Sequence, residues 1–129
     1  MYKRLIIYSS TDGQTKLICE RIKNLSKFNN QTKLIEIDQS IKEDLKSYEV
    51  IIIGASIRYG KHSPSVLNFV KENIENFKHK KTVFFSVNVV ARKESKNLPE
   101  TNPYLIKFLK LSKWKPDKKA VFAGKIDYP

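Results

Sequence analysis

Cysteine, glycine and methionine are scarce in this chain of 129 residues, with one Cys, four Gly and one Met, and the shortages close off whole classes of protein. Cys19 alone can form neither an intrachain disulfide nor a cysteine metal cluster. Nor does it open a Cys-x5-Arg phosphatase loop, because Leu25 stands where the arginine belongs; a half-buried structural thiol is expected. Gly-x-Gly-x-x-Gly and Gly-Lys-Ser/Thr are both missing, which excludes the dinucleotide fingerprint and the nucleoside triphosphate loop. No acidic pair follows the first apolar run, so a magnesium-binding receiver is excluded, and His62 has no triad or metal-ligand spacing around it, so no metal is expected. No apolar run approaches the roughly 20 residues of a membrane helix, and Leu5–Tyr8 is too short for a secretory core. The protein is expected to be cytoplasmic.

Acidic residues are few as well: 13 Asp+Glu against 25 Lys+Arg leave a formal net charge of +12. Such an excess favours nucleic acid, anionic lipid or acidic substrates. Only Arg4, Arg21, Arg58 and Arg92 are arginines, and abundant Lys, Asn and Ile is also what an AT-rich coding sequence produces. No basic block interleaved with aromatics stands out, so no nucleic-acid partner is expected. The length suits one domain, residues 1–129, burying roughly two-thirds of its unfolded surface.

What is present is an alternation of strands and helices. Arg4–Ser9 is an apolar strand running into the turn Ser10-Thr11-Asp12-Gly13-Gln14-Thr15, and Ile18, Ile22 and Leu25, widened by Leu17 and Phe28, give a helix over Gln14–Phe28. Lys33–Asp38 is a second strand. Ser40 and Glu43 form a capping box for a short helix with Ile41, Leu45 and Tyr48 on one face. Val50–Ala55 is a β-branched run of the kind covered on both faces in a parallel sheet. Ser63-Pro64 starts a helix with Val66, Val70, Ile74 and Phe77 inward, and Thr82–Val90 is the fourth strand. Asn102-Pro103 starts a helix carrying Tyr104, Leu105, Phe108 and Leu109, and Lys119–Gly124 is the fifth strand. No closing helix follows, so one face of the last strands is expected to lack cover.

Five strands alternating with helices suit a three-layer α/β sandwich with a parallel sheet of order 2-1-3-4-5. Ligands of such sheets sit beyond the carboxyl ends of the strands where the order reverses. Ser9–Thr15, Ser56–His62 and Ser86–Lys93 converge there. The first segment is a strand-to-helix turn with Ser9, Ser10, Thr11, Gln14 and Thr15 as donors, suited to a phosphate monoester. Taken alone, a Ser10, Thr11 or Asp12 helix cap explains that turn more simply. The other two segments are long enough to grip a flat ring, with Tyr59 as a stacking face, and the chemistry suggested is flavin mononucleotide, FMN. Arg58 and Tyr59 lean towards function by following the most buried strand, whereas His62 reads as a helix-start residue without a ligand role.

Gly54-Ala55-Ser56-Ile57-Arg58-Tyr59-Gly60, Phe85-Ser86-Val87-Asn88-Val89-Val90-Ala91-Arg92-Lys93, Pro99-Glu100-Thr101-Asn102 and Trp114-Lys115-Pro116-Asp117 carry a resemblance over essentially the whole chain. Together with the opening Ser-Ser-Thr-Asp-Gly-Gln-Thr, they resemble the bacterial quinone-dependent protoporphyrinogen dehydrogenases, flavodoxin-like enzymes of haem synthesis. The resemblance implies FMN-dependent oxidation of protoporphyrinogen IX, with menaquinone or ubiquinone as acceptor, at the inner face of the cell membrane. It implies a phosphate on Ser10, Thr11, Asp12, Gly13, Gln14 and Thr15. The isoalloxazine would lie between Ser56, Ile57, Arg58, Tyr59 and Gly60 on one side and Phe84, Phe85, Ser86, Val87, Asn88, Val89, Val90 and Ala91 on the other. Asn88 and the amides of Ser86 and Val87 would face the ring edge, and Arg58, Arg92 and Lys93 are the candidates for the substrate carboxylates. No side-chain nucleophile is required, and no catalytic residue is assigned.

Members of that family continue past the position of Tyr128-Pro129 with an aromatic and basic insertion, a returning strand and a final helix. The 129-residue chain is therefore expected to be poorly stable or weakly active by itself. Two further functions fit the composition: an electron carrier or quinone-reductase-like flavoprotein, disfavoured by the basic charge, and a basic binding module without flavin. A homo-oligomer would supply the cover that the last strands lack.

Overall fold

The structure is a computed structural model that describes residues 3–9, 14–25, 31–38, 44–58 and 61–123, with Gln14, Leu25, Arg58, Lys61, Val89 and Val90 described by their backbone alone. Its frame is a sheet built outward from the most apolar strands. β1 (Arg4–Ser9) and β3 (Val50–Arg58) pair in parallel, Ile7 opposite Ile53, and β5 (Lys81–Val87) joins the other side of β3 with Phe84 opposite Ile53. Leu5, Ile7, Ile51, Ile53 and Phe84 are fully buried, as continuous apolar strands with cover on both faces must be. β2 (Thr32–Glu36) flanks β1, and β6 (Lys118–Phe122) flanks β5, which completes the order β2-β1-β3-β5-β6. That is the expected 2-1-3-4-5 sheet with its reversal between the first and third strands.

A sixth strand was not legible. β3 runs on to Arg58 and folds back as β4 (Lys61–His62), antiparallel, with Ile57 opposite His62. A two-residue strand has no periodicity to read. His62 is thereby a strand residue at the sheet's carboxyl edge, ahead of the helix start.

The helices form the outer layers. α1 (Gln14–Leu25) covers one face, where Ile6, Tyr8, Cys19, Phe85 and Val87 are buried with Ile18, Ile22 and Ile52 against them. Its inward stripe runs through Thr15 and Cys19, both fully buried, while Leu17 is exposed. Ile18 and Ile22 pack on this face as expected, whereas Leu17 falls outside the stripe and Thr15 falls inside it, because Thr does not register as apolar although it fits a core. The Cys19 thiol is buried rather than half-buried, and burial pushes its pKa up to about 12, which makes it unreactive. Gly54 lies beneath the Phe85 ring, and a methyl group there would overlap the ring.

α2 (Pro64–Asn73) and α3 (Pro103–Ser112) cover the opposite face, where Val66, Phe69, Val70, Leu105 and Phe108 join the main core. Both start as their sequences indicate. The Ser63 hydroxyl accepts from Ser65 N–H and the Asn102 carbonyl oxygen accepts from Leu105 N–H, with proline in the first turn of each helix. Lys113, at φ 61°, closes α3 in the left-handed region, its N–H donating to Leu109 O. Leu45–Ser47 is one 3₁₀ turn capped by Asp44; the capping box at Ser40–Glu43 lies outside the described residues. On the edge strand, Phe122 remains 39% exposed with its ring edge-on to Phe85.

Candidate functional site

Three buried hydroxyls stand at the carboxyl ends of β1 and β3, where the strand order reverses, and at the start of α1. Ser9 is the last residue of β1, Thr15 lies in the first turn of α1, and Ser56 is one residue beyond Ala55, the partner of Ser9 across the β1–β3 ladder. All three are buried and have no hydrogen-bond partner among the described residues. A buried hydroxyl left unpaired costs about 1–3 kcal/mol, so each of the three is a donor in want of an acceptor. One other buried polar atom is in the same condition, Trp114 Nε1, which follows α3 and sits among the rings of Phe77 and Phe84.

The end of β5 is built the opposite way. His62 Nε2 and Ser86 Oγ are 2.7 Å apart, and Asn88 Nδ2 donates to the same Ser86 Oγ at 2.8 Å. Asn88 and Asn102 exchange amide bonds in both directions, Nδ2 of Asn102 to Oδ1 of Asn88 at 2.8 Å and the reverse at 3.1 Å. The second Asn102 N–H donates to Lys96 O at 3.0 Å. Desolvation pushes the His62 pKa down to about 4, so its ring is neutral. Asn88 fills one acceptor position of Ser86 Oγ, and the bond between Ser86 Oγ and His62 Nε2 runs in the direction that the imidazole tautomer sets. The Phe84 and Phe108 rings pack T-shaped against the imidazole. β5 stops at Val87, and 89–92 turns into a 3₁₀ segment in place of further strand, because Asn88 N–H donates to Phe122 O and Asn88 O accepts from Ala91 N–H.

The expected site residues fall into three groups. Thr15, Ser56, Phe84, Phe85, Ser86, Val87, Asn88 and Ala91 are buried at or near the carboxyl edge, and Ile57 is partly buried beside them. Arg92 and Lys93 are exposed on the turn that leaves β5. Ser10, Thr11, Asp12, Gly13, Tyr59 and Gly60 lie outside the described residues, and the side chains of Gln14, Arg58, Val89 and Val90 are likewise not described. Asn88 is placed at the edge, but its side chain turns inward to Ser86 and Asn102. Asn102 was missed except as a helix cap, and no local signal marks its reach of 14 residues back to Asn88. His62 was read as having no ligand role, and its ring nitrogen is held by Ser86. Among the described residues no group of His, Cys, Asp and Glu could hold a metal ion.

Comparisons with known proteins agree with this architecture. Residues 5–129 match the flavodoxin domain family. Protoporphyrinogen IX dehydrogenase (quinone) of Escherichia coli K12 is 38% identical over 128 residues, which cover 98% of this chain and 71% of that protein. The Leishmania major protein of the same name is 40% identical over 131 residues, covering 98% of this chain and 56% of its own length. Among solved structures, oxidised flavodoxin 2 from Bacillus cereus superposes with a TM-score of 0.66 at 23% identity, covering 98% of this chain and 88% of the other. A Fusobacterium nucleatum flavodoxin mutant bound to flavin mononucleotide gives 0.62 at 17% identity, covering 96% and 76%. These structures share the fold, and the curated relatives share the sequence along nearly the whole chain. The chain belongs to the flavodoxin domain family, in the group of the quinone-dependent protoporphyrinogen IX dehydrogenases.

Proposed function

We propose that this chain binds FMN at the carboxyl edge of the sheet and serves the oxidation of protoporphyrinogen IX with a quinone, menaquinone or ubiquinone, as acceptor. The observation that carries the cofactor is the set of unpaired buried hydroxyls on Ser9, Thr15 and Ser56 around the reversal point. They fit a ligand rich in acceptor oxygens, and the first turn of α1 adds backbone N–H groups and a positive dipole end suited to a phosphate monoester. The phosphate is assigned to the turn 10–15. The flat ring is assigned to the space between 56–60 and 84–91.

FMN supplies the two-electron chemistry when bound. The protein's part is to orient the ring, exclude water and present the substrate. Phe85 and Val87 keep the carboxyl half of β5 apolar, and Gly54 leaves room for the Phe85 ring. Arg92 and Lys93, exposed on the turn that leaves β5, are assigned to the propionate groups of the porphyrinogen, with Arg58 as the third cation.

Contact with the membrane surface is assigned to the outer side of α3. Ile106 and Leu111 are 45% and 51% exposed, and they flank Lys107 and Lys110 on that side of the helix. No acidic residue occurs between Glu100 and Asp117, while Lys113 and Lys115 extend the basic run. Lysines with apolar stems beside exposed aliphatics suit an anionic headgroup layer. A cavity of about 200 Å³ between α2 and α3, lined by Leu67, Phe108, Lys107 and Leu111, opens beside this face. Among the described residues no helix is long and apolar enough to cross a membrane.

The test is the visible spectrum of the purified protein, FMN titration, and bleaching of the bound flavin by protoporphyrinogen IX with reoxidation by a quinone. Stoichiometric FMN that bleaches with substrate is expected. A chain that takes up no FMN at any concentration tested contradicts the proposal, and one whose flavin ignores the porphyrinogen leaves only an electron carrier.

A further inference from the structure

The polar chain at the end of β5 has more order than packing alone requires. His62, Ser86, Asn88 and Asn102 are each at least nine-tenths buried, in a wall that otherwise consists of Phe84, Phe108 and Leu105. Both N–H groups of both asparagines are used: Asn88 donates to Ser86 and Asn102, and Asn102 donates to Asn88 and to Lys96 O. Oδ1 of Asn102 also accepts from Leu105 N–H and so caps α3. A half-satisfied network of this depth would be worse than an apolar core, and a complete one fixes a single arrangement of the segments it joins. Those segments are the end of β5, the turn over 89–101 and the start of α3. The backbone of Asn88 is held too, by Phe122 O on one side and Ala91 N–H on the other.

We propose that Asn102 is a positioning residue for the flavin: through its two-way amide pair with Asn88 it holds the turn 89–101 and the end of β5 in the one geometry that receives the ring. This rests on the FMN reading above. Asn88 then acts from behind the ring wall, and the contact to the ring edge falls to the backbone of 86–88. The bonds connect Asn102 through Asn88 to Ser86 and His62, so loss of the Asn102 amide loosens each later bond. A residue serving only as the cap of α3 would need an acceptor oxygen and no N–H donor.

That difference separates the two roles. Asn102→Ser and Asn102→Asp both keep a cap oxygen for Leu105 N–H and both lose the donors to Asn88 and Lys96. Serine avoids burying a charge, should the aspartate variant fold poorly. Leu109→Ala, a partly buried change on the same helix, is the control for general destabilisation. Affinity for oxidised FMN is read from quenching of flavin fluorescence, and that for reduced FMN from this value and the shift in midpoint potential on binding, at a temperature where every variant is fully folded by circular dichroism. Amide hydrogen exchange over 89–101 is read in the absence of FMN.

The expected result for Asn102→Ser is faster exchange over 89–101 and at least tenfold weaker FMN binding, by different factors for the oxidised and reduced forms, with Leu109→Ala unchanged in both. Unchanged exchange and unchanged affinity in the Asn102 variants overturn the inference and leave the FMN reading standing. An unsubstituted chain that binds no FMN overturns that reading and the inference together.

Discussion

Two ends of neighbouring strands in the same sheet treat buried polar groups in opposite ways. At β5 the side chains of Ser86, Asn88, Asn102 and His62 are bonded to one another until both asparagine amides are saturated. At β1 and β3, Ser9 and Ser56, with Thr15 across the turn, keep hydroxyls without partners among the described residues. Burial alone therefore does not distinguish a binding group from a structural one. The bonding state does: the paired cluster is the brace, and the unpaired hydroxyls are the donors that the proposed flavin would use. Trp114 Nε1 shows the limit of the criterion, since it is unpaired yet follows α3 and packs against the rings of Phe77 and Phe84, away from the reversal point.

The largest effect is expected where the brace is cut. Asn88→Ala removes the donors to Ser86 and Asn102 and strands the Asn102 amide, which should lower stability by about 3 kcal/mol in urea unfolding. A loss no greater than that of an exposed substitution would mean that the brace is not one unit.

His62 gives the next effect, through pH. Its pKa is near 6.5 when unfolded and about 4 when folded, so below pH 6.5 the unfolded chain binds a proton that the native chain refuses. This histidine leaves stability untouched above pH 6.5 and erodes it as the pH falls towards 4, by about 2 kcal/mol between pH 7 and pH 5. His62→Gln keeps an acceptor for Ser86 and does not titrate, so its stability should fall less over that interval. Parallel pH curves for the two proteins would show that His62 is solvated and that the brace ends at Ser86.

The smallest effects on stability belong to the unpaired side. Without ligand, Ser9→Ala, Thr15→Val and Ser56→Ala should each be neutral or stabilising by up to about 1 kcal/mol, because each removes a buried group that has no bond to lose. Trp114→Phe should behave in the same way and leave FMN affinity unchanged. If any of the three hydroxyl variants were destabilised by more than about 1 kcal/mol, the contrast between the two strand ends would fail there.

How much of this could be read from the residues follows the range of the interactions. Strand order and helix starts were legible because they rest on local patterns: the run Val50–Ala55, Ser63-Pro64 and Asn102-Pro103. The crevice followed from topology, and Thr15 and Ser56 were named from it. The brace was not legible, since its bonds join residues 14 and 24 positions apart and nothing near Asn102 or His62 distinguishes a network member from a cap or a turn residue. The two-residue β4 and the place of Thr15 on the inward side of α1 escaped for local reasons, one too short to have a period and the other a residue that does not count as apolar. Asn88 lies at the carboxyl edge, and its side chain, expected to face the ring edge, turns inward to Ser86 and Asn102.

The most direct test compares FMN binding by the unsubstituted chain with that of a variant combining Ser9→Ala, Thr15→Val and Ser56→Ala. The unsubstituted chain should bind one FMN, and the triple variant should be at least as stable without ligand yet bind FMN about 100-fold more weakly, roughly 1 kcal/mol for each lost bond. Equal affinity in the two proteins would show that the unpaired hydroxyls at β1 and β3 are a feature of packing and hold no ligand.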